Sequence, residues 1–131
     1  MVIVFDVIEH FTKSELIPLV DEVQRVLKPG GRWVIHVPNG ESPFGNRVRF
    51  GDYTHEQAFT RTSLGQLLVA SGFSRVEAYE DRPIAHGFIS TVRAALWWLL
   101  RAVLLFYTAV ETGTSDRRAV FLQNLLAAAH K

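Results

Sequence analysis

Asp6, Glu9 and His10 follow directly on an apolar run, Val2-Ile-Val-Phe5. Two carboxylates beside an imidazole suit two kinds of chemistry. They can ligate a divalent cation, or one of them can take a proton from an acceptor hydroxyl. At a helix start such side chains also satisfy free backbone groups, which is the plainer role for Glu9 and His10. A second set lies further on, between Pro38 and Phe59. There His55 is a candidate general base, because a neutral imidazole titrates near physiological pH. Arg47 and Arg49 offer guanidinium groups to an anionic acceptor such as a phosphate or carboxylate. Asn39, just past another apolar run, is either a pocket residue or a turn former. His55 bonded to the main chain, and the two arginines on a solvated loop face, are the corresponding roles without chemistry.

These residues need elements to hold them. One stretch organises the chain: Val26-Leu-Lys-Pro-Gly-Gly-Arg-Trp-Val-Ile-His-Val-Pro-Asn39. Pro29 stops a helix, Gly30-Gly31 allows a tight reversal, and Arg32 to Val37 is a strand that Pro38-Asn39 ends. Helix, turn, strand, loop is one step of a parallel α/β sheet. Ligands of such sheets sit beyond the carboxyl ends of the strands, which puts Pro38, Asn39 and Gly40 at the mouth of a site. Met1 to Phe5 reads as a short buried strand, with Asp6 to Phe11 at its carboxyl end. Apolar residues at Leu16, Leu19, Val20, Val23, Val26 and Leu27 predict a helix with one buried face, capped by Thr12 or Ser14. Pro38 to Phe59 reads as a lid or binding loop. Thr60 or Thr62 opens a second helix that Gly72 ends, and Phe73–Tyr79 alternates as a half-exposed strand.

Phe88 to Val110 is apolar over more than one helical face and carries Trp97 and Trp98. At ~100° per residue, Ser90, Arg93, Arg101, Thr108 and Glu111 share one narrow stripe. Two arginines so deep argue against a membrane span. The expectation is a helix lying against the core, or in a bilayer surface with Arg93 and Arg101 facing water. Ala119 to His130 is expected to return as a strand, although Leu-Leu-Ala-Ala-Ala alone suits a helix.

The totals bound the rest. The chain of 131 residues is enough for one domain with a real core, and 48% hydrophobic residues argue against disorder. A net charge of +1 gives no electrostatic case for nucleic acid. The absence of cysteine excludes a disulfide scaffold, a thiolate nucleophile and a cysteine-based zinc site, and it fits the cytoplasm.

Three segments resemble one family. Asp6-Val-Ile-Glu-His10 resembles the "D/E-V-L-E-H" element at the fourth strand of class I S-adenosylmethionine-dependent methyltransferases. Leu27-Lys-Pro-Gly-Gly31 resembles the family's "L-K-P-G-G" before its fifth strand. Thr54-His55 through Phe59-Thr60, Leu64, Leu67-Leu68 and Gly72-Phe73 resemble the later "H…F-T…L…L-L…G-F" segment, so the likeness covers residues 1 to 80. The segment Phe121-Leu-Gln-Asn-Leu-Leu-Ala resembles the seventh, antiparallel strand. The resemblance implies a Rossmann-like sheet with remaining strand order 4-5-7-6 and an inserted apolar helix. It implies S-adenosylmethionine as cofactor, with Asp6, Glu9 and His10 toward it, Asn39, Arg47 and His55 toward a small-molecule acceptor, and His55 and Asp6 in catalysis. In the ubiquinone-biosynthesis O-methyltransferases a similar Glu…Glu-His group is implicated in metal binding.

The family's glycine-rich cofactor loop has no counterpart here, since no G-x-G-x-G occurs. The expectation is therefore one partial domain over residues 1–131: a core at 1–80, a helical insertion at 86–112 and a returning strand at 119–131. Met1 would be an internal methionine. Such a piece is expected to bind the cofactor poorly and to be inactive alone, with its fourth strand a bare edge open to a partner chain. The alternative is a non-catalytic half-domain that pairs through that edge or docks on a membrane surface through residues 88–110.

Overall fold

In the computed structural model, which describes residues 1–82 and 86–131, nine elements alternate in α/β fashion. Strand β1 (Val2–Phe5) leads through a single 3₁₀ turn, Ile8–His10, to helix α1 (Lys13–Val26). The Thr12 backbone N–H and hydroxyl both donate to the Glu15 carboxylate, at 3.0 and 2.7 Å, so the first turn is closed by a local pair. α1 turns Leu16 and Val20 inward, and Leu27 closes its buried face. The reversal that follows needs both glycines. Gly30 has φ +72°, and a Cβ on Gly31 would stand 2.7 Å from the Lys28 carbonyl oxygen.

Strand β2 (Arg32–Pro38) alternates cleanly, with Trp33, Ile35 and Val37 fully buried. The long connection after it contains a short helix, α2 (Asn46–Arg49), and is pinned at its base where Asn39 bridges Phe59. Helix α3 (Arg61–Ala70) starts at Thr60, whose hydroxyl accepts from the Ser63 N–H, and it buries Leu64 and Leu68. Strand β3 (Arg75–Glu80), helix α4 (Phe88–Thr112) and strand β4 (Asn124–His130) complete the chain.

The sheet order is β1-β2-β4-β3. β1 runs parallel to β2, with Val2 opposite Trp33 and Phe5 opposite His36. β4 is antiparallel to both neighbours. Its alanines explain why a helix-prone sequence became a strand. Ala127 and Ala129 sit fully buried between two strands that both pair with β4. α1 and α3 cover one face of the sheet, contacting Trp33, Ile35, Leu125 and the two alanines. The opposite face is open. Ile3, Phe5 and Tyr79 remain about half exposed there, although sheets of this class are normally covered on both sides.

α4 departs from expectation in two ways. It does not lie against the core, and most of its large apolar side chains are exposed, although Trp97, Leu104 and Leu105 are partly covered. Arg101, expected to face water, is only 6% exposed. Its guanidinium pairs with Glu80 and donates to the carbonyls of Ala119 and Arg117, both at 2.8 Å. The buried carboxylate at the end of β3 draws the charge inward, against the helical stripe.

Candidate functional site

At the carboxyl end of β1 the chain turns sharply. Asp6 takes φ 52°, and its N–H donates to the His36 carbonyl at 3.0 Å. The 3₁₀ turn then sends Glu9 into the interior, fully buried. The Glu9 carbonyl receives the N–H groups of Glu56 and Gln57 at 2.9 and 3.0 Å, and the Gln57 side chain donates to the Phe11 carbonyl at 2.7 Å. These bonds fold the far end of the long loop back onto the turn. They deliver His55 beside His10, with ring centroids 4.7 Å apart.

Glu9, His10 and His55 thus form one cluster, with ligand atoms within 4.8 Å of one another. No other described residue donates a hydrogen bond to either Glu9 carboxylate oxygen. Burial raises its pKa, with Asp6 adding to the rise. Its own backbone hydrogen bond and the two imidazoles pull the other way. The tautomers follow from the partners. His55 Nδ1 lies 3.1 Å from the Val48 carbonyl, which can only accept, so Nδ1 carries the hydrogen. His10 Nδ1 lies 2.9 Å from the Thr54 hydroxyl and 3.2 Å from the Thr54 carbonyl. The Thr54 hydroxyl itself donates to Asp52 at 2.7 Å, so His10 Nδ1 is also the donor. Each neutral ring then keeps its Nε2 lone pair for other work. An imidazole whose second nitrogen is anchored to a carbonyl is arranged as a base or as a ligand. The trio can hold one divalent cation or receive a proton.

The other candidates lie elsewhere. Asp6 is not one of the trio: it pairs with His36 Nδ1 at 2.9 Å, while His36 Nε2 is 3.6 Å from Asp81. Asn39, expected at the rim, is 1% exposed. Its amide nitrogen donates to the carbonyls of Val120 and Leu122 at 2.7 and 2.8 Å, and its oxygen accepts from the Glu41 N–H at 3.0 Å. It clamps the end of β2 to the segment before β4, because a buried amide must pair fully. Arg49 donates to the carbonyls of His55 and Glu56 and so shapes the loop. Arg47 lies exposed on α2. His36 was not singled out by the sequence. Its signal was the alternation in β2, which puts it opposite Phe5 on the open face.

No family model matches this sequence, and no curated protein does. Solved structures do. A SAM-dependent methyltransferase from Archaeoglobus fulgidus superposes with a TM-score of 0.67 at 18% identity, over 98% of this chain and 57% of that one. The small RNA methyltransferase HEN1 superposes with a TM-score of 0.53 at 15% identity, over 99% of this chain and 14% of that one. The chain therefore spans little more than half of the archaeal protein and a small part of HEN1. At such identities the likeness establishes the architecture: this mixed sheet, with α1 and α3 on one face, has the fold of SAM-dependent methyltransferases.

Proposed function

We propose that this chain is the acceptor-side part of an S-adenosylmethionine-dependent methyltransferase that acts on an oxygen or nitrogen of a small molecule at the cytoplasmic face of the cell. The observation that carries the reading is the cluster at the carboxyl ends of parallel β1 and β2, where Glu9, His10 and His55 converge. The order β1-β2-β4-β3 supports it as well, since it corresponds to 4-5-7-6 of the family's sheet.

Glu9 fits a bound cofactor or acceptor, because two buried carboxylate oxygens without partners call for donors such as hydroxyl or amino groups. Asp6 would join it at the same strand end, held in place by His36. When bound, S-adenosylmethionine supplies a methyl group already activated as a sulfonium. The residues of this chain then orient the acceptor and remove its proton. His55 Nε2 is the base, with Nδ1 fixed on the Val48 carbonyl. His10 flanks it, and exposed Arg47 is free to meet an anionic group on the acceptor.

The test is methyl transfer by the protein as purified from its own cells, given labelled cofactor and a panel of phenols, carboxylic acids and amines. His55→Ala should lower kcat about a hundredfold with cofactor binding intact. Unchanged turnover in that variant overturns the assignment of the base, and no transfer to any acceptor class overturns the reading. A second reading, a docking module without catalysis, is favoured by α4 and its exposed apolar surface. Flotation with liposomes, with and without residues 86–112, separates the two: binding lost on deletion supports a membrane anchor, and no binding removes it.

A further inference from the structure

At the opposite edge of the sheet from Glu9 lies a cavity of about 790 Å³, bounded by α3, β3, α4 and the segment before β4. Six arginines line it: Arg61, Arg75, Arg82, Arg101, Arg117 and Arg118. Only Glu77 and Glu80 oppose them in the lining, which leaves four positive charges in excess on a chain whose total is +1. Glu80 is shared between Arg82, at 2.8 Å, and Arg101. Arg75 pairs with Glu77 at 2.6 Å, and Arg61 reaches Asp116. The guanidinium groups of Arg117 and Arg118 form no ion pair among the described residues. Fork-shaped donors crowded into a concave site match the oxygens of a phosphate.

Beside this basic cavity runs the long apolar helix α4, which contributes Arg101 to its lining. Arg82 lies over the Trp98 ring at 5.4 Å, so the guanidinium groups and the apolar helix surface are contiguous. Phe106, Tyr107, Leu99 and Val110 are each more than half exposed along α4. Twenty-five residues make a helix roughly 37 Å long, enough to cross a bilayer. Arg101 argues against crossing. It sits mid-helix with its guanidinium bound into the folded body, so a spanning helix would drag Glu80 and residues 117–119 to the bilayer centre. A helix along the surface keeps the body in water and brings the arginines to headgroup depth.

We propose that the arginine-lined cavity takes the phosphate headgroup of an anionic lipid, whose acyl chains lie against α4. This rests on the membrane reading of α4 and not on methyl transfer, so either can fail alone. Two arginines without an acidic partner, in a concave site beside an exposed apolar helix, favour this occupant over a protein partner.

The test uses the full chain and flotation with three vesicle types: phosphatidylcholine alone, phosphatidylcholine with phosphatidate, and phosphatidylcholine with oleate at equal surface charge. Phosphatidate vesicles should bind best. The double change Arg117→Ala with Arg118→Ala should weaken that binding roughly tenfold or more, while Lys28→Ala with Arg32→Ala, equal in charge and outside the cavity, should change it far less. Gly65 lines the cavity with open space at its Cβ position. Gly65→Phe should therefore block the site without altering charge, and circular dichroism checks that the variant remains folded. Equal binding to oleate vesicles, or full binding by both cavity variants, overturns the cavity and leaves α4 as a plain membrane anchor. Saturable binding of inorganic phosphate with no flotation overturns the lipid and points to a free phosphate ester. No binding of any kind overturns the site.

Discussion

Glu9 shows most plainly how a single residue carries the account. A carboxylate with no exposure and no partner is costly while charged, so its folded-state pKa lies above the ordinary value of 4.5. Over the interval between those two values the folded protein holds a proton that the unfolded chain has released. Stability is then highest below the ordinary value and falls as pH rises through the folded-state pKa. Glu9→Gln should abolish that fall and stabilise the chain at neutral pH by about 1 kcal/mol. Urea unfolding of both proteins from mildly acidic to mildly alkaline pH reads it, and an identical pH slope would contradict the burial of a charge-bearing Glu9. Asn39 makes the opposite prediction. Asn39→Ala leaves two carbonyls and an N–H without their buried partner, so it should cost about 3 kcal/mol in the same assay. A stable variant with only an acceptor defect would return Asn39 to the pocket.

Among the elements, those with a clean period were legible and those that depend on distant partners were not. α1, β2 and α3 follow their apolar spacing, because each buries one face against the same core, although Val26, expected on the buried face of α1, is exposed. The pairing of β1 with β2 follows from the glycine reversal and the helix between them. β4 was ambiguous from its alanines, and only its place between two strands decides it. α4 was legible as a helix, but the direction of Arg101 was not. Its partner Glu80 lies 21 residues earlier, at the end of β3, and no pattern within α4 encodes that. Arg101→Leu leaves Glu80 with Arg82 and the Phe121 N–H, so the loss should be about 2 kcal/mol rather than that of a fully orphaned charge. Chemical denaturation measures this, and a neutral substitution would mean that α4 is not held at its midpoint.

At the scale of the molecule, Glu9, His10 and Asp6 were legible as a group because they are neighbours in sequence. Assembly of the actual trio was not, since His55 arrives only through bonds between the long loop and the Glu9 carbonyl, while Asp6 leaves for His36. The open side has the same character. β1 pairs only with β2 among the described residues, and Ile3 and Phe5 lie exposed beside its free edge. An edge and a face left bare together offer a surface for a partner chain, and no glycine-rich loop occurs in these 131 residues to hold the cofactor. Calorimetric titration of the 131-residue chain with S-adenosylhomocysteine tests this most directly. The account predicts no saturable heat. Micromolar binding by the chain would contradict it.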